Sequence, residues 1–328
     1  MSTSSNGTLL SVQGLQTRIK GDRHSITVVD GVSFELGQQQ VLALIGESGS
    51  GKTMTALSIL RLVAAPVAIT GGEVWYEGKD ILRLPAEKMR TLRGRRIAMI
   101  FQNPRDRFDP LRTIGDQLIE VLMHHGITQN RSEASRRALS LLREVKLLDA
   151  ERVMKMYPNE VSGGMLQRAM IAIAIAPAPD LLIADEPTSS LDVTIQSEIL
   201  DLLKSVETAR RMSILFITHD ISVAQQVADT VAVMYAGQIV EYGKASEVFA
   251  HPQHPYTQAL MASVPTPTSD VLQPIHGLPA DLAHPPPGCR FAPRCPSASV
   301  HGRASEPPPF VQTENVGVRC WLYAEARQ

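Results

Sequence analysis

The chain has 328 residues, 44% of them hydrophobic, with 32 Lys and Arg against 33 Asp and Glu. That length suits one large domain or one domain with an appendage. The balanced charge provides no global field to attract nucleic acid or an anionic membrane, and no apolar run approaches the roughly 18–20 residues that cross a bilayer.

The first segment, MSTSSNGTLLSVQ, lacks a basic start followed by an apolar core, so it does not read as a secretory signal and a cytosolic chain is expected. From about residue 8 to 45 the pattern predicts strands. LLSVQGLQTRI and SITVVDGVSFEL flank the turn-forming GDRH, and VLALI is an apolar run of the length and kind found in strands buried on both faces. TMTALSILRLV follows with helical spacing, GEVWYEGKDI reads as a hairpin around Glu77–Gly78, and IAMIF is a further buried strand. TIGDQLIEVLMHHG and SEASRRALSLLREVKLL are amphipathic; in the second, Ala138, Leu141, Leu142, Val145 and Leu148 fall on one stripe. The alternation then returns: GGMLQRAMIAIAIA helix, LLIADE strand, TIQSEILDLLKSVETARR helix, SILFITHD strand, and VAVMYAGQIVEYG a hairpin. Alternating strands and helices imply an α/β fold with a mostly parallel sheet, interrupted by a helical insertion. Beyond about residue 250 the composition turns rich in Pro and His, which predicts an extended, loop-rich tail with little core of its own.

Gly46-Glu47-Ser48-Gly49-Ser50-Gly51-Lys52-Thr53 fits G-x-x-x-x-G-K-[ST] completely and lies between a predicted strand and a predicted helix. In such a loop, glycines let backbone N–H groups converge on phosphate oxygens. Lys52 reaches the β and γ phosphates, Thr53 offers a hydroxyl to Mg²⁺, and the helix N-terminus adds positive potential. In LLIADE, Asp185 ends an apolar strand where a carboxylate can bind the Mg²⁺ water shell, and Glu186 is placed to polarise a water for attack on the γ-phosphate. Taken alone, such an acidic pair is ordinary, since either residue can cap a helix. Thr218-His219-Asp220 also ends an apolar strand; His219 is a candidate to contact the γ-phosphate or orient Glu186, against the ordinary reading of a capping His. Val161-Ser162-Gly163-Gly164-Met165 precedes a long helix and makes a second anion site. Two such sites suit one nucleotide if two domains face each other, the SGG loop of one closing over phosphates held by the other.

The order GESGSGKT, Gln102, SGGM, LLIADE, SSLD, THD resembles the ATP-binding subunits of ABC transporters, over roughly residues 8 to 245. The resemblance implies a P-loop NTPase fold of the ABC ATPase type: a RecA-like core, an antiparallel β subdomain and a helical subdomain at about 110–165, within a domain at 8–250. It implies that Gln102 is the Q-loop residue touching Mg²⁺ and the membrane partner, that Ser162, Gly163 and Gly164 form the signature loop, that Ser190-Leu191-Asp192 is the D-loop, that Glu186 is the catalytic base and that His219 is the switch histidine. Two departures stand out. Met165 occupies a place usually held by Gln, and RIKGDRHSI holds none of the aromatic residues that stack on adenine.

His251-Pro252-Gln253-His254-Pro255-Tyr256-Thr257-Gln258-Ala259-Leu260 is similar to the HPxHPYTxxL segment of dipeptide and oligopeptide importers, and GCRFAPRCP resembles their C-terminal extension, here 251–328. A nickel importer of the same subfamily is the close alternative; soluble ABC ATPases of DNA repair or translation are remote ones, since the insertion is short and each motif occurs once. The resemblance implies ATP and Mg²⁺ as ligands, a peripheral position on the cytoplasmic face of the inner membrane, and three kinds of partner: a second, homologous ATPase subunit, two permeases and an extracytoplasmic solute-binding protein, with no nucleic acid. Relatives ligate a [4Fe–4S] cluster with four cysteines. Cys289, Cys295 and Cys320 stand at three of those places, while the third family cysteine would fall near His301-Gly302, with Gly302 at the matching spot. Three thiolates with His301 leave a cluster, a zinc ion or an empty, vestigial site as alternatives.

Overall fold

The computed structural model describes residues 7–21, 24–189, 191–264, 274–298 and 306–324. It divides into two units, one made of Met1–Arg83 with Phe216–Gln328, the other of Leu84–Leu215.

The first unit opens with β1 (Thr8–Lys20), β2 (Ser25–Gly37), β3 (Val41–Ile45), α1 (Lys52–Ile59), β4 (Val67–Tyr76) and β5 (Lys79–Asp80). β1 pairs antiparallel with β2 and with β4, and β4 with β5, giving the sheet order β2-β1-β4-β5. Glu77 and Gly78 both have positive φ, at 47° and 74°, the mirror-image turn whose twist suits a two-residue hairpin. All five residues of β3 are buried, as expected of a strand covered on both faces. Thr17 of β1 and Ser58 of α1 share a buried hydroxyl–hydroxyl bond of 2.7 Å, which ties the antiparallel sheet to the helix that follows β3.

The second unit holds α2 (Ala86–Leu92), β6 (Ile97–Ile100), α3 (Ile114–His124), α4 (Arg131–Glu144), α5 (Ala150–Val153), α6 (Gly163–Ile175), β7 (Leu181–Asp185) and α7 (Val193–Arg210). β6 and β7 run parallel, Ile97 opposite Leu181. Thr113, Asn130, Asp149 and Ser162 cap α3 to α6 by accepting a backbone N–H from the first turn, which satisfies one orphan donor per helix. Arg168 of α6 is buried; it donates to Val145 O at 3.1 Å and pairs with Glu198 of α7 at 2.6 Å. One expectation fails here. Ala138, Leu141, Leu142 and Val145 are buried, but Leu148 is fully exposed and Leu147 takes the core position. α4 ends at Glu144 and Lys146 adopts φ 59°. That left-handed residue breaks the helical phase, so the stripe shifts by one.

β8 (Ser213–Thr218) carries the chain back into the first unit, followed by α8 (Ile221–Val227), β9 (Thr230–Tyr235), β10 (Gln238–Lys244), α9 (Ala245–Ala250), α10 (Pro255–Ala262), β11 (Phe310–Gln312), β12 (Val316–Arg319) and α11 (Trp321–Ala324). β9 pairs parallel with β3, and β10 antiparallel with β9 through a turn at Ala236 and Gly237. The tail is loop-rich over 274–298 and has little core of its own, as expected, but it also adds two short strands to the sheet. β12 pairs with β10 and β11 with β12, so the tail extends the sheet that contains β3. Tyr256, Leu260, Phe291 and Val316 are buried in one cluster with Ile45, Val233 and Tyr235. The tail has no separate core because its apolar side chains complete the core of β3, β9 and β10.

Candidate functional site

The phosphate loop joins β3 to α1, and its shape depends on two glycines. Gly46 has φ 154°, and a Cβ there would stand 2.1 Å from Met234 O; Gly51 has φ 106°, and a Cβ there would stand 2.5 Å from Val28 O. The loop is therefore pressed against the β9 end and cannot carry side chains at these points. Lys52 is buried, and its Nζ donates to Gly46 O at 2.7 Å and Glu47 O at 3.0 Å. Its ammonium thus lies inside the loop. Ser50 is buried and its Oγ has no hydrogen-bond partner. α1 starts without a side-chain cap and without an acidic residue in its first turn, so its N-terminal potential is not cancelled locally. A cationic loop with an unpaired buried hydroxyl fits a phosphate chain. Thr53, predicted to reach Mg²⁺, is the second residue of α1.

In the second unit, Asp185 is buried at the end of β7 and Glu186 follows it with φ 46°. A left-handed glutamate is uncommon and costs of order 1–3 kcal/mol, and here it turns the carboxylate toward Gln102. Gln102 Nε2 donates to Glu186 Oε2 at 2.9 Å. The two predicted residues, 84 positions apart, thus meet directly. Ser162 is exposed at the start of α6, its Oγ accepting from Met165 N at 3.3 Å. A Cβ on Gly164 would stand 2.9 Å from Ile195 Cγ2, so the loop at Ser162–Gly164 and the first turn of α7 approach closely. Asp192 caps that turn, its carboxylate accepting from Ile195 N at 3.0 Å. Ser190 of the predicted D-loop lies outside the described residues.

His219 follows β8 and is exposed. The helix after it is capped by Asp220, whose Oδ1 accepts from Ser222 N at 2.8 Å and Val223 N at 3.3 Å. The ordinary reading of His219 as the cap therefore does not apply, and its ring stands at a strand's C-terminal end.

The HPQHPYT segment, read above only as a family marker, has a structural task. Glu241 of β10 is fully buried, and its carboxylate accepts from Gln253 N at 2.8 Å and His254 N at 2.9 Å. Burial pushes this carboxyl up from the usual range. His254 caps α10, its Nδ1 accepting from Tyr256 N at 3.0 Å, and burial holds its ring down at about 3. Tyr256 then projects to the phosphate loop, where its hydroxyl accepts the Glu47 N–H at 2.9 Å. Burial raises the Tyr256 phenol, so that hydroxyl stays protonated. No sequence pattern predicted Tyr256 as part of this site.

Cys289 and Cys295 are half-buried against the same apolar cluster and Cys320 is buried. Burial pushes all three thiols up, Cys320 to about 11. Among the described residues no three His, Cys, Asp or Glu side chains converge closely enough to hold a metal ion. Among those described residues nothing supports the [4Fe–4S] cluster that the resemblance implied or the zinc ion offered as its alternative; His301 lies outside the described residues. Among the described residues no helix is long and apolar enough to cross a membrane.

Comparison with known proteins bears on this geometry. The family profile described as "ABC transporter" matches residues 29–189, and that described as "Oligopeptide/dipeptide transporter, C-terminal region" matches 240–301. The chain is 44% identical to the dipeptide transport ATP-binding protein DppD of Bacillus subtilis, over 96% of this chain and 94% of that one. It is 47% identical to the probable peptide ABC transporter ATP-binding protein y4tR of Sinorhizobium fredii, over 88% of each. Among solved structures, the dimeric post-hydrolysis state of the ATP-binding cassette MJ0796 bound to ADP and Pi superposes with a TM-score of 0.65. It is 25% identical and covers 72% of this chain and 99% of that one. With a buried lysine in a glycine-shaped loop, Gln102 and Glu186 paired beyond β6 and β7, and relatives matched along nearly their whole length, the chain belongs to the ABC transporter family as one of its ATP-binding proteins.

Proposed function

We propose that this chain hydrolyses ATP to power import of di- or oligopeptides, as the ATPase subunit of a membrane transporter. The observation that carries the nucleotide reading is the phosphate loop itself, with buried Lys52 folded over Gly46 O and Glu47 O. The loop residues Gly46, Ser48, Gly49, Ser50, Gly51, Lys52 and Thr53 receive the phosphates. Thr53, Gln102 and Asp185 are the residues that would hold Mg²⁺, which when bound would supply charge neutralisation at the phosphates. Glu186 orients and deprotonates the attacking water, with Gln102 fixing its carboxylate; His219 assists at the γ-phosphate. Little covalent chemistry falls to the protein, so positioning and charge stabilisation supply most of the rate.

Ser162, Gly163 and Gly164 present a helix N-terminus that closes over the γ-phosphate of ATP bound by a second, homologous ATPase subunit, with Asp192 beside that junction. Hydrolysis removes the phosphate bridge and opens the pair. The helical subdomain near 110–165 and Gln102 pass that motion to two permeases at the cytoplasmic face of the inner membrane, and an extracytoplasmic solute-binding protein delivers the cargo. Peptide cargo is supported by the match over 240–301 and by the names of the relatives. The test is uptake of labelled dipeptides, oligopeptides and nickel in cells lacking this chain. Loss of peptide uptake alone supports the reading; loss of nickel uptake alone assigns the nickel alternative.

A further inference from the structure

The residue that follows the first glycine of the phosphate loop is an acid, and its charge is opposed from the C-terminal region. Glu47 Oε2 and Oε1 accept from Arg294 Nη1 at 2.7 Å and Nη2 at 3.0 Å, a two-pronged pair. The Arg294 side chain is only 4% exposed, while that of Glu47 is 26% exposed. The guanidinium is held from further directions as well: Nε donates to His276 O at 2.9 Å, Nη2 to Ile275 O at 3.4 Å and Nη1 to Tyr235 Oη at 3.4 Å, and the group lies over the Phe291 ring. Arg294 is thus fixed before it meets Glu47, and its charged state is favoured by that carboxylate. On the other side of the same residue, Tyr256 takes the Glu47 N–H. Two side chains from beyond residue 250 therefore clamp one residue of the phosphate loop, one by its backbone and one by its charge.

A bare carboxylate at Glu47 would stand beside the tetra-anionic phosphate chain and repel it. A two-pronged arginine both cancels that charge and fixes its direction. We propose that Arg294 is a positioning residue of the nucleotide site: it holds the phosphate loop through Glu47 and neutralises the carboxylate beside the bound phosphates. This rests on the reading that the loop binds ATP. It makes the C-terminal region part of the nucleotide machinery.

The test is ATP binding by the full chain, measured by calorimetry at low and at high salt. Arg294→Gln is expected to weaken binding about tenfold at low salt and less at high salt, because repulsion from the partly exposed Glu47 carboxylate is in part screened. Adding Glu47→Gln to that variant is expected to recover most of the loss, since no charge is then left unpaired. Arg294→Lys keeps the charge without the fork and is expected to bind within about threefold of the unchanged protein; it serves if Arg294→Gln does not fold. Equal binding by Arg294→Gln, a double variant as weak as Arg294→Gln, or a tenfold loss in Arg294→Lys each overturns the neutralising role. Failure of the unchanged protein to bind ATP overturns instead the nucleotide reading on which the role rests.

Discussion

Gln102 donates its amide to the Glu186 carboxylate at 2.9 Å, and Glu186 sits in a left-handed backbone conformation that aims it there. The bond fixes the direction of the Glu186 carboxylate, and with it the direction from which an attacking water would be polarised. Glu186→Gln is therefore expected to keep ATP affinity within a few-fold and to lower turnover by about 10²–10⁴, the usual contribution of a positioned general base. Parallel measurement of ATP binding and single-turnover hydrolysis checks this; hydrolysis at the normal rate would remove Glu186 from the chemistry.

The phosphate loop yields a paired expectation. Lys52→Ala removes the two bonds to Gly46 O and Glu47 O as well as the cation, and ATP binding is expected to vanish. Gly46→Ala places a methyl 2.1 Å from Met234 O at φ 154°. It is expected to lower stability by about 2–4 kcal/mol, the range for a strained buried change, and to lose ATP binding with it. Urea unfolding and nucleotide titration separate the two effects, since Lys52→Ala should leave the fold nearly as stable.

Leu147 and Leu148 are adjacent and differ only in direction. Leu147 is buried, so Leu147→Ala is expected to cost about 2–4 kcal/mol. Leu148 is exposed, so Leu148→Ala should stay within about 0.5 kcal/mol of the unchanged protein. Equilibrium unfolding of both variants decides whether the stripe shifts where Lys146 breaks the helix.

Acid stability should depend on His254. Its ring is held neutral at about 3 when folded, while the unfolded chain protonates near 6.5. Between those values the unfolded state binds more protons, so stability falls as pH falls from about 6.5 toward 3, by at most about 1.4 kcal/mol per pH unit. Glu241 acts in the opposite sense above its ordinary 4.5, because its folded carboxyl is raised by burial and holds a proton longer. The comparison is therefore made between about pH 6.5 and 5 against a variant that leaves the Glu241 contribution the same. His254→Asn keeps an acceptor for the Tyr256 N–H without a titrating ring, and its urea midpoint is expected to vary less with pH across that window. An unchanged slope would show that other groups set the acid limb.

Local chemistry was readable from the residues alone. A glycine pattern between an apolar strand and a helix specifies a phosphate loop, because only glycine tolerates the backbone angles and close approaches at Gly46 and Gly51. The helices capped by Thr113, Asn130 and Ser162, and the hairpin at Glu77–Gly78, likewise follow from short-range rules. Tertiary structure alone decided what met at long range. Nothing in the spacing joins Gln102 to Glu186 across 84 positions, or Tyr256 and Arg294 to Glu47 across 209 and 247. Those pairings depend on which strands lie side by side and on a tail that looked extended because its apolar residues are few and scattered among prolines. Periodicity reports only partners one helical turn or one strand residue away. It cannot show that Tyr256, Phe291 and Val316 bury themselves in a core built from β3, β9 and β10.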